Sequence, residues 1–369
     1  RMLDLESYNA EEGAEAYSYK YSEKRAHKAS AYSQYLRVDD QGYVTPSSAL
    51  STEEGAKEFA KKAYSSINNT GDRLLTPDYS QKAEDTTVTF ENLPLGYYLV
   101  NSSAGTVLAI TTTNPDGRIE EKNEVPTLTK TVEEDSTNTY GDSNTADVGQ
   151  EVNFKITITA YEGANNYIVH DKLPDGMDLK EDSLKVYKNG TEITQAGYYT
   201  VTTDELEDNC DFEIRFAGRF TNSIADKDEI TVSYTAVVNG NAQIGTDGNE
   251  NKAWMSYGEN STPTVDSATV TYVYKMDIFK FTAKKDEDGV EIKNGLSGAV
   301  FTLSRNEEGT DPIKLSKQDG SDSYIVDEEN GSAEVTTPEG GKLTVSGLDA
   351  DTYYLTEVKA PDGYNKLAA

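Results

Sequence analysis

The sequence has few of the residues from which disulfide and metal frameworks are built. Its 369 residues include one cysteine and two histidines. One cysteine excludes an internal disulfide framework and a cage of thiolate ligands around a metal. His27 and His170 leave little room for a histidine-based metal centre or for the usual catalytic triads. We therefore expect no cofactor, no bound metal and no enzyme active site, and we interpret Cys210 as a buried small residue.

Positive charge and long apolar runs are also scarce. The chain has 34 Lys and Arg residues against 65 Asp and Glu residues, which gives a net charge of −31. Nucleic acid is disfavoured as a partner because phosphate binding needs clustered cations, and an anionic membrane surface is disfavoured for the same reason. No apolar run approaches about 20 residues, so we expect no transmembrane span, signal peptide or sorting tail within this sequence.

Tyrosine and alternating patterns, by contrast, are abundant. The chain has 25 tyrosines, whereas a disordered acidic chain would be poor in aromatic residues. Apolar and polar residues alternate over 152–158, 230–238 and 270–278, and a period of two predicts strands in β-sandwiches. Residues 52–67 instead have helical spacing after a capping box formed by Ser51 and Glu54. We predict a mainly β protein of tandem Ig-like sandwiches with one short helix.

Two similar sequence segments and two turn regions predict how the chain is divided into domains. Residues 88–101 and 343–357 each read as a strand, a turn and a Tyr-Tyr-Leu strand, so similar modules open and close the chain. Pro115-Asp116-Gly117 and Pro126 mark a boundary near 120–126, and Ser261-Thr262-Pro263 marks a second near 261–268. We predict three domains, at about 1–123, 124–266 and 267–369. We expect the start of the first domain and the last strand of the third to lie outside this sequence.

Five polar residues occupy positions that the alternation assigns to apolar faces: Lys130, Asp171, Asn251, Lys280 and Glu357. Burying a lone ammonium or carboxylate costs several kcal/mol, so each of these groups needs a partner or must become neutral. Strand ends that reach solvent, or ordinary buried ion pairs, are one explanation. A lysine, an acid and an asparagine on different inward strands also have the chemistry for a spontaneous amide crosslink.

The chemistry of such a crosslink follows from burial. Desolvation lowers the pKa of the lysine and frees a neutral, nucleophilic amine. The same apolar site raises the pKa of the carboxyl group, so the protonated acid can polarise the amide carbonyl and move protons as ammonia leaves. The reaction needs no cofactor and occurs once per molecule, so it is the only catalysis that we expect.

The C-terminal residues resemble a known family. Residues 354–364 read YLTEVKAPDGY, which resembles the E-box of Gram-positive pilins, and residues 296–303 read LSGAVFTL, which resembles a strand of the same collagen-adhesin B-type (CnaB-like) domain. In this family the E-box glutamate catalyses a Lys–Asn isopeptide bond. The resemblance implies Glu357 as the catalyst and Lys280 as the nucleophile, with Lys284 as the alternative nucleophile. The asparagine is expected on the strand beyond residue 369.

The middle domain resembles the collagen-adhesin A-type (CnaA-like) pilin domain. The matching segments read TLTKTV from residue 127, HDKLPDG from residue 170 and NKA from residue 251. In that type an aspartate assists the bond. The resemblance implies Lys130 as the nucleophile, Asp171 as the catalyst and Asn251 as the acceptor. Glu213 is the alternative catalyst, although it lies on the face opposite to its apolar neighbours.

The first domain resembles the N-terminal domain of backbone pilins, with Asn101 in place of the E-box glutamate. Nearly the whole chain is therefore similar to a shaft (major) pilin of sortase-assembled pili. That resemblance implies an extracellular structural subunit at the cell wall of a Gram-positive bacterium. Its implied partners are identical pilin subunits, a class C sortase, accessory pilins and host surface ligands. The alternative is an accessory or tip pilin, or another cell-wall-anchored adhesin built from the same domains.

The sortase would join a lysine near the first domain junction to the C-terminal threonine of the next subunit. Residues 120–123 read EEKN and keep only the Lys-Asn part of the usual YPKN-like motif. The resemblance implies Lys122 as the intersubunit linkage site, and an ordinary solvated linker lysine is the alternative interpretation.

Overall fold

The computed structural model describes residues 3–9, 16–21, 32–68, 77–83, 87–94, 96–103, 105–109, 124–258 and 262–366. These residues form three β-rich units in chain order, so the prediction of a mainly β protein is confirmed. The predicted helix is also present, as α1 at Glu53–Asn68. Its cap differs from the prediction, because the hydroxyl of Thr52, and not that of Ser51, accepts from the Gly55 amide at 3.1 Å. No helix in the described segments is long and apolar enough to cross a bilayer.

The first unit is one sheet with α1 packed on it. Its strands are β1 Leu3–Asn9, β2 Ala16–Tyr21, β3 Leu36–Val38, β4 Tyr43–Pro46, β5 Gly96–Ser102 and β6 Gly105–Ala109. Their order across the sheet is β3-β4-β2-β1-β5-β6. The helix buries Phe59 against Tyr32 and Tyr35, with ring centroids 5.6 and 5.3 Å apart. Phe59 and Ala63 also share one buried cluster with Tyr19 of β2 and Val44 of β4, so the apolar face of the helix covers the sheet.

The second unit is a sandwich of two sheets. Its elements are β7 Thr127–Glu134, β8 Thr139–Gly141, β9 Ser143–Thr145, β10 Glu151–Ala160, β11 Ile168–Lys172, β12 Met177–Lys188, β13 Thr191–Glu192, β14 Tyr199–Thr202, β15 Phe212–Phe216, α2 Gly218–Thr221, β16 Asp228–Val238, β17 Asn249–Tyr257, β18 Thr262–Pro263 and β19 Ser267–Tyr272. One sheet has the order β13-β12-β16-β10-β7-β8, and the other has β14-β15-β11-β17-β19-β9 with β18 beside β17. Alternate residues of β10 and β16 are buried between the sheets, as their period of two predicted.

The second unit extends past the boundary predicted at residue 266. Strand β19 pairs with β17 and, in parallel, with β9. Val273 is fully buried in the core of the same unit. The chain passes into the third unit only here, at the start of β20 (Tyr274–Phe279). The alternating pattern of residues 270–278 runs through both β19 and β20, because each strand has one buried face. The pattern therefore did not indicate where the chain passes from the second unit to the third.

The third unit contains two small sheets and a hairpin. Its remaining strands are β21 Phe281–Lys285, β22 Glu291–Gly295, β23 Val300–Ser304, β24 Leu315–Lys317, β25 Ser323–Val326, β26 Glu334–Thr336, β27 Lys342–Leu348 and β28 Tyr354–Lys359. The sheets have the orders β20-β27-β25-β24 and β26-β23-β28, and β21 pairs with β22. Phe301, Leu303 and Val345 lie in the core between them.

A buried aspartate joins the second unit to the third. The carboxylate of Asp147 accepts from Arg305 Nη2 at 2.8 Å, from the backbone amide of Asp349 at 2.7 Å and from the Tyr353 hydroxyl at 3.1 Å. Val148, the next residue, packs against the apolar core of the third unit. One side chain of the second unit thus satisfies three donors of the third.

Replacing Asp147 should loosen this junction. Asp147→Ala leaves three donors without their charged acceptor, and hydrogen bonds to charged groups contribute roughly 1.5–3 kcal/mol. We expect a lower unfolding temperature for the third unit and faster proteolytic cleavage near Val273, measured by calorimetry and limited proteolysis. Asp319→Ala, in an exposed turn of the third unit, is the matched control and should behave as the wild type. Equal behaviour of both variants would show that the contact adds no stability.

Candidate functional site

Lys130 lies in the core of the second unit. It is on β7 between two buried neighbours, Leu128 and Val132, and only 2% of its surface is exposed. Its Nζ forms an ion pair with Asp171 and donates to the hydroxyl of Tyr234 at 2.6 Å. The side chain therefore has the inward direction that strand parity predicted.

Asp171 meets this amine from the opposite sheet. It is on β11, which pairs with β15 on one side and β17 on the other, and it is 0% exposed. Besides the contact with Lys130, its Oδ1 accepts from the Tyr234 hydroxyl at 3.0 Å. Lys130 and Tyr234 are thus the side chains that form hydrogen bonds with this buried carboxyl group.

Asn251 completes the group. It is on β17 and 0% exposed, and its Nδ2 donates to the same Tyr234 hydroxyl at 2.8 Å. Its Oδ1 is buried without a hydrogen-bond partner among the described residues. Because β7 and β17 belong to different sheets, Lys130 and Asn251 approach one another across the sandwich.

Tyr234 is the member that the sequence analysis missed. It is on β16, and its hydroxyl accepts from Lys130 and Asn251 while it donates to Asp171. Its ring stacks on Phe154 at 5.2 Å and meets the edge of Phe212 at 5.0 Å. In the sequence, Tyr234 differs from the other inward-facing residues of β16 only by its hydroxyl group. A tyrosine at such a position is usually an ordinary core aromatic residue.

Burial moves both ionisable groups toward their neutral forms. Desolvation lowers the pKa of Lys130, and the neighbouring carboxylate offsets only part of that effect. Desolvation likewise raises the pKa of Asp171 to about 6, although Lys130 acts in the opposite direction. The pKa of Tyr234 lies well above its usual value because of burial and the nearby Asp171. A neutral amine beside a protonated acid has the same total charge as the ion pair, so the site can hold a nucleophile and an acid next to an amide.

Glu213, the alternative catalyst, lies elsewhere. It is on β15, where its neighbours Phe212 and Ile214 are buried and it is only partly so. Its Oε1 accepts from Arg215 Nη2 at 2.7 Å. The structure therefore places Asp171, and not Glu213, at the Lys130 amine.

The third unit has a similar lysine–glutamate pair. Lys280 Nζ lies 2.8 Å from Glu357 Oε1, and Glu357 is buried on β28 opposite Phe301. Lys284, the alternative nucleophile, is exposed on β21. Leu355, which shares strand parity with Glu357, is 41% exposed, because β28 is the end strand of the described sheet. The two residue types needed for nucleophile and catalyst are thus in contact.

The remaining predicted positions are in or near the first unit. Asn101 is on β5 opposite Thr106, so an amide occupies the position of the E-box acid. Lys122 lies outside the described residues.

Two comparisons relate this sequence to known proteins. Residues 279–369 match the SpaA prealbumin-like fold domain. The chain is also 27% identical over 263 residues to the trypsin-resistant surface T6 protein of Streptococcus pyogenes serotype M6, an alignment that covers 66% of this chain and 44% of that protein. The chain therefore spans less than half the length of this relative.

Solved structures show the same fold. The T6 backbone pilin of serotype M6 Streptococcus pyogenes matches with a TM-score of 0.53 and 20% identity, covering 100% of this chain and 75% of that one. The 35 kDa C-terminal fragment of the major pilin GBS80 of Streptococcus agalactiae matches with a TM-score of 0.51 and 18% identity, covering 67% of this chain and 90% of that fragment. The predicted resemblance to backbone pilins is confirmed.

Removing the Tyr234 hydroxyl should disturb the hydrogen bonds of the site while the aromatic ring keeps its place. Tyr234→Phe keeps the ring contacts but leaves Lys130, Asn251 and Asp171 each short of one partner, and an unsatisfied buried polar group costs about 1–3 kcal/mol. We expect a lower unfolding temperature of the second unit and a smaller fraction of chains that have lost ammonia, measured by calorimetry and intact mass. Tyr187→Phe, half-buried on β12, is the control. Ammonia loss by Tyr234→Phe equal to that of the wild type would exclude a role for the hydroxyl.

Proposed function

We propose that this homologue of the T6 surface protein is a structural subunit of a covalently polymerised pilus on a Gram-positive bacterium. The observation that carries the proposal is the convergence of Lys130, Asp171 and Asn251 on one buried hydroxyl, that of Tyr234. In this proposal, internal Lys–Asn isopeptide bonds strengthen each subunit, and a class C sortase joins it to identical subunits and to accessory pilins. The relationship to backbone pilins supports this assignment.

The groups of the site can supply and accept every proton that the proposed reaction moves. The neutral amine of Lys130 attacks Cγ of Asn251, so the Nζ–Cγ bond forms and the Cγ–Nδ2 bond breaks. Asp171, in its protonated form, donates a proton to the leaving Nδ2 and takes one from the attacking Nζ. The nitrogen leaves as ammonia, and Asp171 returns to its initial protonation state. The hydroxyl of Tyr234 holds the amine and the amide on either side of itself.

The energetics of burial favour this product. A buried ion pair is often no more stable than an apolar substitute, because removing both charges from water is costly. Amide formation would convert the Lys130 side chain into a neutral group, so the cost of burying its charge would be removed. The new bond would also link β7 to β17 across the two sheets and close a loop of more than a hundred residues. By analogy with a disulfide, closing such a loop restricts the unfolded chain by about 4–5 kcal/mol.

In the third unit we assign the same roles to Lys280 as nucleophile and Glu357 as catalyst. Their 2.8 Å contact supports this assignment over Lys284. An asparagine on a strand added beside β28 would complete the bond. The amide at Asn101 in the first unit lacks an acid proton to give, so we assign no E-box bond there.

Intact mass distinguishes the two candidate catalysts. The wild-type chain should be about 17 Da lighter than its sequence, one ammonia for the bond between Lys130 and Asn251. Asp171→Ala should fold at full mass, with lower thermal and protease resistance, because no acid remains at the amine. Glu213→Ala is the matched control and should still lose ammonia. The reverse result would transfer the catalytic role to Glu213, and full mass in the wild type would refute the crosslink.

Polymerisation tests the cellular role. Cells that express the full-length protein with Lys122→Ala should lose the high-mass pilin ladder on denaturing gels, because the sortase would have no acceptor amine. The mass loss within the subunit should persist. Lys82→Ala, an exposed lysine of the first unit, is the control and should keep its ladder. An unchanged ladder in Lys122→Ala would assign the linkage to another lysine, and the lack of any ladder with the native residue would favour a non-polymerising adhesin.

A further inference from the structure

A second cluster of ligand-type side chains lies on the opposite face of β11. His170 Nδ1 is 2.8 Å from Asp208 Oδ2, 3.9 Å from Cys210 Sγ and 3.9 Å from Glu213 Oε2. The ligand atoms of His170, Asp208 and Cys210 all lie within 4.8 Å of one another. Three potential ligands, from β11 and the loop between β14 and β15, therefore surround a small volume, and Glu213 of β15 lies next to one of them, His170.

We propose that His170, Asp208 and Cys210 bind one divalent transition-metal ion of the zinc class, with Glu213, 3.9 Å from His170 Nδ1, as the fourth ligand. Zinc binds sulfur at about 2.3 Å and nitrogen or oxygen at about 2.0–2.2 Å, so ligand atoms of a tetrahedral site lie roughly 3.3–3.7 Å apart. The separations from His170 Nδ1, at 2.8–3.9 Å, lie on both sides of that range. Imidazole and thiolate select zinc-class ions over calcium and magnesium.

The surroundings of the cluster suit a bound ion. His170 and Cys210 are 8% and 7% exposed, whereas Asp208 is exposed and leaves one side open to solvent. Ser256 Oγ lies 3.3 Å from the other ring nitrogen of His170, Nε2, and so directs Nδ1 toward the cluster. The indole of Trp254 is parallel to the imidazole, with centroids 5.3 Å apart. The histidine is thus held in the orientation that metal binding needs.

The charge balance also favours a cation. Two carboxylate oxygens, Asp208 Oδ2 and Glu213 Oε2, lie 2.8 and 3.9 Å from His170 Nδ1. Arg215 Nη2 donates to Glu213 Oε1 at 2.7 Å, whereas the other carboxylate oxygen, Oε2, is the one near His170. A dication would stabilise the thiolate and both carboxylates at once.

A bound ion would have a structural effect. It would tie the nine-residue loop 203–211 to β11 and β15, in a chain whose described residues contain no disulfide. Because an ion that binds only the folded state stabilises it by mass action, the second unit should unfold at a higher temperature when metal is present. This inference does not depend on the proposed pilus role.

The test is a Co²⁺ and Zn²⁺ titration of the full chain, reduced and freed of metal. We expect one equivalent of Co²⁺ to produce a thiolate-to-cobalt absorption band and to quench Trp254, the single tryptophan. Zn²⁺ should displace the Co²⁺ and raise the unfolding temperature. Absence of the absorption band in the reduced wild type would overturn the proposal.

Two variants of the exposed loop make the test specific. Asp208→Asn removes a ligand but can still accept from the Cys210 amide, a contact of 3.3 Å, so folding should persist. We expect at least about tenfold weaker Zn²⁺ binding. Glu207→Gln removes the same charge from the adjacent exposed position and should bind as the wild type does. Equal losses in both variants would indicate attraction to acidic surface and refute the site. Cys210→Ser should abolish the absorption band, and a retained band would likewise refute it.

Discussion

The burial of Lys130 against Asp171 is the constraint on which the second unit depends. Neither side chain is more than 2% exposed, and two charges in such a place recover little of their lost hydration. The amine lies 5.3 and 5.1 Å from the ring centroids of Phe154 and Tyr234 and donates to the Tyr234 hydroxyl. Desolvation shifts the pKa of Lys130 downward and that of Asp171 upward, toward their neutral forms, and in the proposed reaction the neutral amine would be the nucleophile.

The sandwich itself provides the geometry that the chemistry needs. Lys130 and Tyr234 come from one sheet, and Asp171 and Asn251 come from the other. Apolar rows above and below them exclude water, so no cleft is required to assemble the four groups. The proposed bond between the sheets would follow from correct folding of the strands alone and would need no substrate-binding site.

The sequence predicts which way a strand residue faces better than it predicts which residues of the opposite sheet it contacts. The inward direction of Lys130 followed from its neighbours Leu128 and Val132, because a period of two is a local property. The role of Tyr234 could not be predicted, since it depends on which side chains of the facing sheet reach its hydroxyl. The boundary at Val273 was missed for a related reason: alternation identifies a buried face but not the core to which that face belongs.

The cluster of His170, Asp208 and Cys210 shows the same limit and one further consequence of strand geometry. Cys210 and His170 are forty residues apart, so no ligand spacing indicated a site; the pairing of β11 with β15 brings them together. His170 and Asp171 are adjacent on β11, and successive side chains of a strand face opposite sides. Asp171 therefore contacts the amine in the core while His170 contacts the acidic loop outside it. The alternation of one strand therefore places two groups of polar side chains on separate faces of the sheet.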